Sequence, residues 1–399
     1  MSGNRQILIA GAGIGGLTTA LSLLKEGMDV AVYEQAPALG EVGAGVQISA
    51  NGTRVLYALG LAEALNRIAW EPEGKAIRLW DTGESWPLFD LGTESIALYG
   101  FPYHMYHRAD LHQVLVDAVR AIEPDAIRLN ARVAGVEQDQ SCATLILEDG
   151  TRAQGDALIG ADGVHSVVRA ALFGADEPVF TGCMAWRGII PVERLPKGRF
   201  PPVGTNWVGP GGHVVQYFLR RGELMNCVAI REGADWQEES WSTAGSVEQC
   251  LADFEGWHDD VRTLLANFDT PYKWALMGRE PMEKWSSGRI GLMGDACHPT
   301  LPFLGQGAVM AMEDGYMLGR SLSAYGDDIP AALERFTKAR RERTANIVRG
   351  SAANTEIFHS PMLASRDAAA AFIAENWQPD RVRERYDWLF TYDATTAPI

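Results

Sequence analysis

The sequence predicts an α/β protein: a Rossmann-like nucleotide-binding domain, an inserted mixed β-sheet domain and a helical C-terminal region. Three observations carry that reading. The glycine-rich segment Gly11-Ala12-Gly13-Ile14-Gly15-Gly16 stands between an apolar run, Ile7 to Ala10, and a helix-spaced stretch, Leu17 to Leu24. Short alternating runs such as Ala76 to Trp80 and Val214 to Leu219 read as strands of a second sheet. The last third is mostly helical in pattern.

Taken in order, the strand, turn and helix at the start form a place for a diphosphate. Glycines let the chain turn sharply and approach a pyrophosphate, and the helix N-terminus that follows offers free N–H groups and partial positive charge. Gly11, Gly13, Ile14 and Gly16 are therefore expected cofactor contacts. The next strand, Val30 to Tyr33, ends at Glu34, which is 34 − 16 = 18 residues past Gly16 and close to the roughly 20 expected of an acid that binds ribose hydroxyls. A carboxylate there repels a 2′-phosphate and favours FAD or NAD over NADP. Up to this point the sequence does not choose between those two.

Turn formers gather at Trp70 to Gly74, where a different module is expected to begin. Helical spacing from Arg108 to Arg120, then strands at Leu145 to Leu147 and Ala157 to Ile159, mark a return to the first domain. The stretch from Pro191 to Gly212 is rich in Pro and Gly and reads as loops. The expected division is 1–72, 101–180 and 276–350 for nucleotide binding, 73–100 and 181–275 for a substrate domain, and 351–399 for a C-terminal helical segment.

The 399 residues carry a net charge of −16, which argues against a nucleic-acid partner because a phosphate backbone needs a basic face. The basic run Lys338 to Arg343 is interrupted by Glu342 and reads as a solvated helix. Five cysteines, widely spaced and without a C-x-x-C pair, predict neither disulfides nor a metal site. Apart from the glycine-punctuated Ile7 to Leu24, no uncharged apolar run approaches a membrane span, so a soluble, cytoplasmic protein is expected.

Together these segments resemble the single-component FAD-dependent aromatic hydroxylases, above all the salicylate hydroxylase and 3-hydroxybenzoate 6-hydroxylase group, along almost the whole chain. The resemblance rests on the opening glycines, on Gly40 to Gln47, on His107-Arg108-Ala109-Asp110-Leu111, on Gly160 to Ser166, and on Gly294-Asp295-Ala296-Cys297-His298-Pro299 followed by Pro302 to Gly307. It implies FAD held by Glu34 and Gln35, by Gly45 and Val46 beside the flavin, by Arg108 at the diphosphate, by Asp162, by Asp295 at the ribityl chain, and by Gly305, Gln306, Gly307 and Ala308 at the pyrimidine edge. Backbone N–H groups there stabilise negative charge on reduced flavin. For His298 a structural hydrogen bond to backbone and proton transfer both stay open, and it is left out of the expected catalytic set.

Gly211 to Tyr217 resembles the part of these enzymes that lines the aromatic site. On a strand, residues 213, 215 and 217 share a face, so His213 and Tyr217 project into one space. Both are expected to bind substrate and to be catalytic, with Pro302 a further substrate contact and Trp186 a packing residue. An imidazole near neutral pKa takes a phenolic proton, making the ring electron-rich, and a tyrosine hydroxyl orients or relays it. The implied reaction uses NAD(P)H, with NADH expected, and O2 to hydroxylate a small aromatic acid through a flavin C4a-hydroperoxide. Arg187, Arg220 or oriented N–H groups are the candidates to offset the acid's charge, and the sequence does not choose among them. A flavin halogenase is the rival enzyme, but its W-x-W-x-I-P pattern meets glycine at Gly188; a flavin-loaded sensor without turnover is the rival of another class. The tail Tyr386-Asp387-Trp388-Leu389-Phe390 resembles salicylate-type members, and exposed aromatics there would suit a homodimer.

Overall fold

A computed structural model describes residues 5–40, 44–233 and 243–399. Glu41, Val42 and Gly43 of the expected flavin segment lie outside the described residues. At the centre of the first sheet is strand Gln6–Ala10, with Asp29–Tyr33 on one side and Ala157–Gly160 on the other, all parallel. Ile290–Leu292 and Ile127–Arg128 extend it in parallel, and Ser286–Ser287 closes one edge antiparallel. Ile7, Leu8 and Ile9 are fully buried, as apolar strands covered on both faces must be.

Helix Ile14–Lys25 packs against helix Gly307–Tyr325 at unusually close range. The reason is small residues: a Cβ at Gly319 would lie 2.3 Å from Ser22 Oγ, and one at Gly315 would lie 2.7 Å from Thr19 Oγ1. The buried hydroxyls of Thr18 and Thr19 are satisfied by bonds back to Ile14 O and Gly15 O, at 2.7 and 2.8 Å. The late helix is thereby fixed beside the early glycine turn, so segments nearly 300 residues apart share one site.

Among the described residues a second sheet runs in the order Tyr272–Gly278, Val179–Pro191, Leu224–Glu232, Gly212–Leu219, Gly204–Gly209, Gly74–Leu79, Ser85–Asp90. Only the Gly204–Gly209 and Gly74–Leu79 pair is parallel. One face, with Trp186, Val214 and Cys227, packs on Phe254, Trp257 and Leu264. The other, with Ile77, Ala185, Tyr217 and Ile230, packs on Leu301, Phe303 and the C-terminal helices. Strand alternation separates the two cores.

Three expectations need correction. The Pro191 to Gly212 stretch is not all loop, because Thr205-Asn206-Trp207-Val208 forms the body of strand Gly204–Gly209 and buries Trp207. The basic run on helix Ile329–Phe358 is not wholly solvated: Arg340 is fully buried and paired with Glu313 and Asp314, each at 2.7 Å. In the tail, Tyr386 and Phe390 are buried against Phe89, with ring centres 5.3 and 6.1 Å away, while Trp388 is 38% exposed. Those aromatics are used within the chain, which removes the argument for a homodimer drawn from them.

Candidate active site

The opening turn has the shape its glycines predict. Gly11 has φ +101°, and a Cβ there would lie 2.5 Å from Ala161 O; one at Gly16 would lie 2.1 Å from Gly11 O. A side chain at either place would break the contact with the neighbouring strand or close the turn. At Gly13, by contrast, a Cβ would find nothing within 4 Å among the described residues. Gly13 is also the N-cap of helix Ile14–Lys25, and no described side chain caps it. Open space in front of uncapped helix amides is the cradle a diphosphate needs. Ile14 lies buried at the first turn. His112 Nε2 bonds Ala12 O at 2.7 Å and steadies the turn from below.

Glu34 has its carboxylate in place but already occupied in part. Oε2 accepts from Ala12 N at 2.8 Å and Oε1 from Ala36 N at 2.9 Å. A carboxylate has about four acceptor sites, so each oxygen keeps one for a ribose hydroxyl. Gln35 beside it is exposed. The Asp162 carboxylate is turned to its own helix, Val167–Phe173, accepting from Ser166 Oγ at 2.5 Å and Val168 N at 3.1 Å. What faces Gly11 in this element is backbone: Ala161 O and Asp162 Cα.

At the other end, strand Gly45–Ile48 pairs with His104–His107, which places Gly45 and Val46 beside the start of helix Arg108–Ile122. Arg108 donates its backbone N–H to Ala44 O at 2.8 Å. Its charge acts on Asp295, an acid open to solvent yet closely walled. That enclosure raises the Asp295 carboxyl above its usual range, with His298 and Arg108 pulling it back. His298 itself bonds the Asp314 carboxylate at 2.6 Å, with both side chains fully buried, so its partner is a side chain and not backbone. Gln306 is the N-cap of helix Gly307–Tyr325 and its side chain is taken up by Ser49 and Asn51, at 2.9 and 3.1 Å. Gly307 and Ala308 then begin a helix that no described side chain caps, and Gly305 turns the chain at φ +64°. The residues present fit FAD: a glycine cradle, an acid with acceptor sites to spare at the end of the second strand, an arginine acting on an aspartate, and uncapped helix amides.

The second sheet brings His213 and Tyr217 to one face, as the period of two predicts. His213 packs edge-on to Phe303, ring centres 4.8 Å apart, directly after Pro302 on the Pro302–Leu304 turn. Pro302 is exposed, and the turn is braced by Ser351 Oγ bonding Leu301 O at 2.5 Å. Burial lowers the His213 imidazole well below its ordinary value, with His359 adding to the effect, so it is neutral but a weaker base than the near-neutral imidazole expected from the sequence. Burial likewise raises the Tyr217 phenol, against a hydrogen bond from Gln47. Gly45 allows this layer to meet strand Gly45–Ile48: a Cβ there would lie 2.6 Å from Tyr217 Oη, and its N–H donates to Asn226 Oδ1 at 2.8 Å. Trp186 is buried in the opposite core, bonding Asp253 at 2.7 Å. Gly188 backs onto Phe268, 2.3 Å from where a Cβ would stand.

The two candidate cations differ in placement: Arg187 stands on the sheet face of His213 through the Arg187–Val228–Val215 register, whereas Arg220 is drawn off into an ion pair. Arg220 is bound two-pronged to Asp110, both bonds 2.7 Å, and Arg187 lies buried by the rings of Tyr272 and Trp274. Lys75, which the sequence reading passed over, donates to Tyr103 Oη at 2.8 Å, and Tyr103 donates to Gln47 Oε1 at 2.8 Å. The Tyr103 hydroxyl also stands 3.9 Å from a Cβ built at Gly305. By area Lys75 is half-buried, but its ammonium end is walled in, and that burial pushes it down to about 7. His359 and Glu232 were also missed; they continue from His213 through bonds of 2.6 Å each.

Known proteins resemble this chain along its whole length. The chain is 36% identical to 3-amino-4-hydroxybenzoate 2-monooxygenase of Streptomyces platensis, covering 99% of this chain and 97% of that one. It is 35% identical to 3-hydroxybenzoate 6-hydroxylase of Polaromonas naphthalenivorans, covering 97% and 96%. Klebsiella pneumoniae HpxO, solved with FAD and uric acid, superposes with a TM-score of 0.84 at 26% identity, over 100% of this chain and 98% of that one. The FAD binding domain family model matches residues 4–351. A cradle built for FAD and kinship along the full chain lead to one conclusion: the protein belongs to the FAD binding domain family, among its flavin-dependent monooxygenases.

Proposed function

We propose that this monooxygenase hydroxylates a phenolic aromatic carboxylate of the hydroxybenzoate type, amino-substituted or not, with NADH the expected form of NAD(P)H and O2 the oxidant. One observation carries the reading: a neutral imidazole, His213, and a lysine of lowered pKa, Lys75, belong to the same sheet face beside the Leu301 to Gly305 turn. A hydroxybenzoate offers a phenol to the first and a carboxylate to the second. The names of the relatives, acting on an aminohydroxybenzoate and a hydroxybenzoate, support the class.

FAD would be held by Gly11, Gly13, Ile14, Gly16, Glu34 and Gln35 at the adenosine end, by Arg108 and Asp295 in the middle, and by Gly45, Val46, Gly305, Gln306, Gly307 and Ala308 at the ring, with Asp162 contributing backbone. When bound it supplies reduction by the nicotinamide and activation of O2, one oxygen atom going to the ring and the other to water. The chain's own groups prepare the substrate. His213 accepts the phenolic proton at Nε2, since its Nδ1 is engaged with His359. Tyr217 orients the phenol, Lys75, positioned by its bond to Tyr103, holds the carboxylate, and Pro302 with Phe303 forms a wall that excludes water.

The test adds salicylate, 3-hydroxybenzoate and 3-amino-4-hydroxybenzoate to FAD-loaded protein, following NADH loss and hydroxylated product together. Product in step with NADH supports the reading. NADH loss without product from any of the three leaves a sensor or an uncoupled oxidase and overturns it.

A further inference from the structure

Beyond the pocket, a line of three titratable side chains leads from His213 to the surface. His213 Nδ1 and His359 Nε2 are 2.6 Å apart, and His359 Nδ1 and Glu232 Oε1 are 2.6 Å apart. His213 and His359 are buried, whereas the Glu232 side chain is 43% exposed, which makes it the outlet.

A carboxylate only accepts, so His359 carries its proton on Nδ1. In neutral His359 the Nε2 is then an acceptor, and His213 must donate to it from Nδ1. That leaves the Nε2 of neutral His213 with a free lone pair. The order of groups thus selects the one tautomer of His213 that works as a base. The backbone holds the order in place. Gly211, at φ +70°, donates its N–H to His359 O at 3.0 Å and accepts from Glu232 N at 2.9 Å. One peptide turn therefore positions both distal groups, while the His359 N–H bonds Thr355 O at 2.9 Å and keeps it on the helix end.

We propose that His359 and Glu232 are positioning residues that fix the tautomer of His213 and carry the substrate's phenolic proton out to solvent. The inference rests on the reading of His213 as base. In the transfer, the phenol O–H breaks and a proton joins His213 Nε2; His213 Nδ1 releases its proton to His359 Nε2; His359 Nδ1 releases its own to Glu232, which passes it to water. No electrons move, and the phenolate remains as the only new charge in the pocket. The Cys183 thiol also comes within 4.8 Å of the His359 and Glu232 ligand atoms, but burial pushes it up to about 11, so it does not compete as the acceptor.

The experiment mixes FAD-loaded protein, in a stopped flow with a pH indicator and little buffer, with whichever of the three aromatic acids is hydroxylated, and reads proton release on binding. Glu232→Gln keeps an acceptor for His359 but takes no proton; release slows by about tenfold or more while KM is unchanged, and added small buffers raise its kcat. Glu232→Asp restores release, and His359→Gln slows it as Glu232→Gln does. If Glu232→Gln and His359→Gln both release at the native rate while His213→Gln does not, the path is overturned and the base stands. Native release from His213→Gln would remove the base reading, and the path with it.

Discussion

His298 and His213 are equally buried, belong to the same molecule and are held in opposite ways. His298 is held by Asp314, which is in turn held by Arg340, and Glu313 adds Arg340 and Arg343 at 2.7 and 2.9 Å. Burial alone would raise Asp314, yet His298 and Arg340 bring it down to about 2. Every ion in that cluster has a counter-ion, and it braces the helix that carries Gly307 and Ala308. His213 has a neutral imidazole and three aromatic or imidazole rings around it instead, so burial acts on it unopposed. A partner's charge, rather than depth, separates the braced histidine from the one proposed as the base.

The contrast breaks most visibly at the charged cluster. Arg340→Met strands Glu313 and Asp314 without one of their cations, and the expected cost is roughly 3–5 kcal/mol of unfolding free energy, read from urea denaturation; an unchanged midpoint would mean that the cluster bears no load. At the neutral histidine the prediction reverses. His213→Gln should unfold near the native midpoint and lose kcat on the order of 10²-fold, measured as product formed rather than NADH consumed.

Lys75 sharpens the comparison with a titration. With its pKa lowered to about 7 in the free protein, the amine is charged below that pH and neutral above it, so kcat/KM for a carboxylate substrate should fall as pH rises through about 7. His213, lowered, stays neutral over the same range and contributes no limb there. Lys75→Met should raise KM about tenfold, the scale of one lost charge-assisted hydrogen bond, and flatten that limb; a limb that survives belongs to another group. The smallest change is expected at Trp388→Ala on the exposed side of the tail, within about 0.5 kcal/mol, whereas a large loss would show that this face is covered by something else.

What the sequence revealed follows from how local each signal is. The Gly11 to Gly16 turn and Glu34 are spelled out within a few residues, and the shared face of His213 and Tyr217 follows from a period of two. His359 stands 146 positions from His213 and follows a helix end with no motif around it. Arg340 looked solvated because its neighbours are basic, and its acidic partner Asp314 is 26 residues earlier on another helix. Lys75 was unremarkable in a strand whose pairing with Gly204 cannot be read from either segment alone. The tail aromatics were misplaced for the same reason: Phe89, which covers them, is some 300 residues away.

The bare α-carbon at Gly45 has a consequence for which rings this catalyst accepts. The gap between the cofactor layer and the sheet beneath it is set there by a hydrogen atom against Tyr217 and Asn226, so position 45 has no bulk left to trim. A descendant that took a larger bicyclic compound would have to gain room by shrinking one of those two side chains, and remodelling of preference should begin with them.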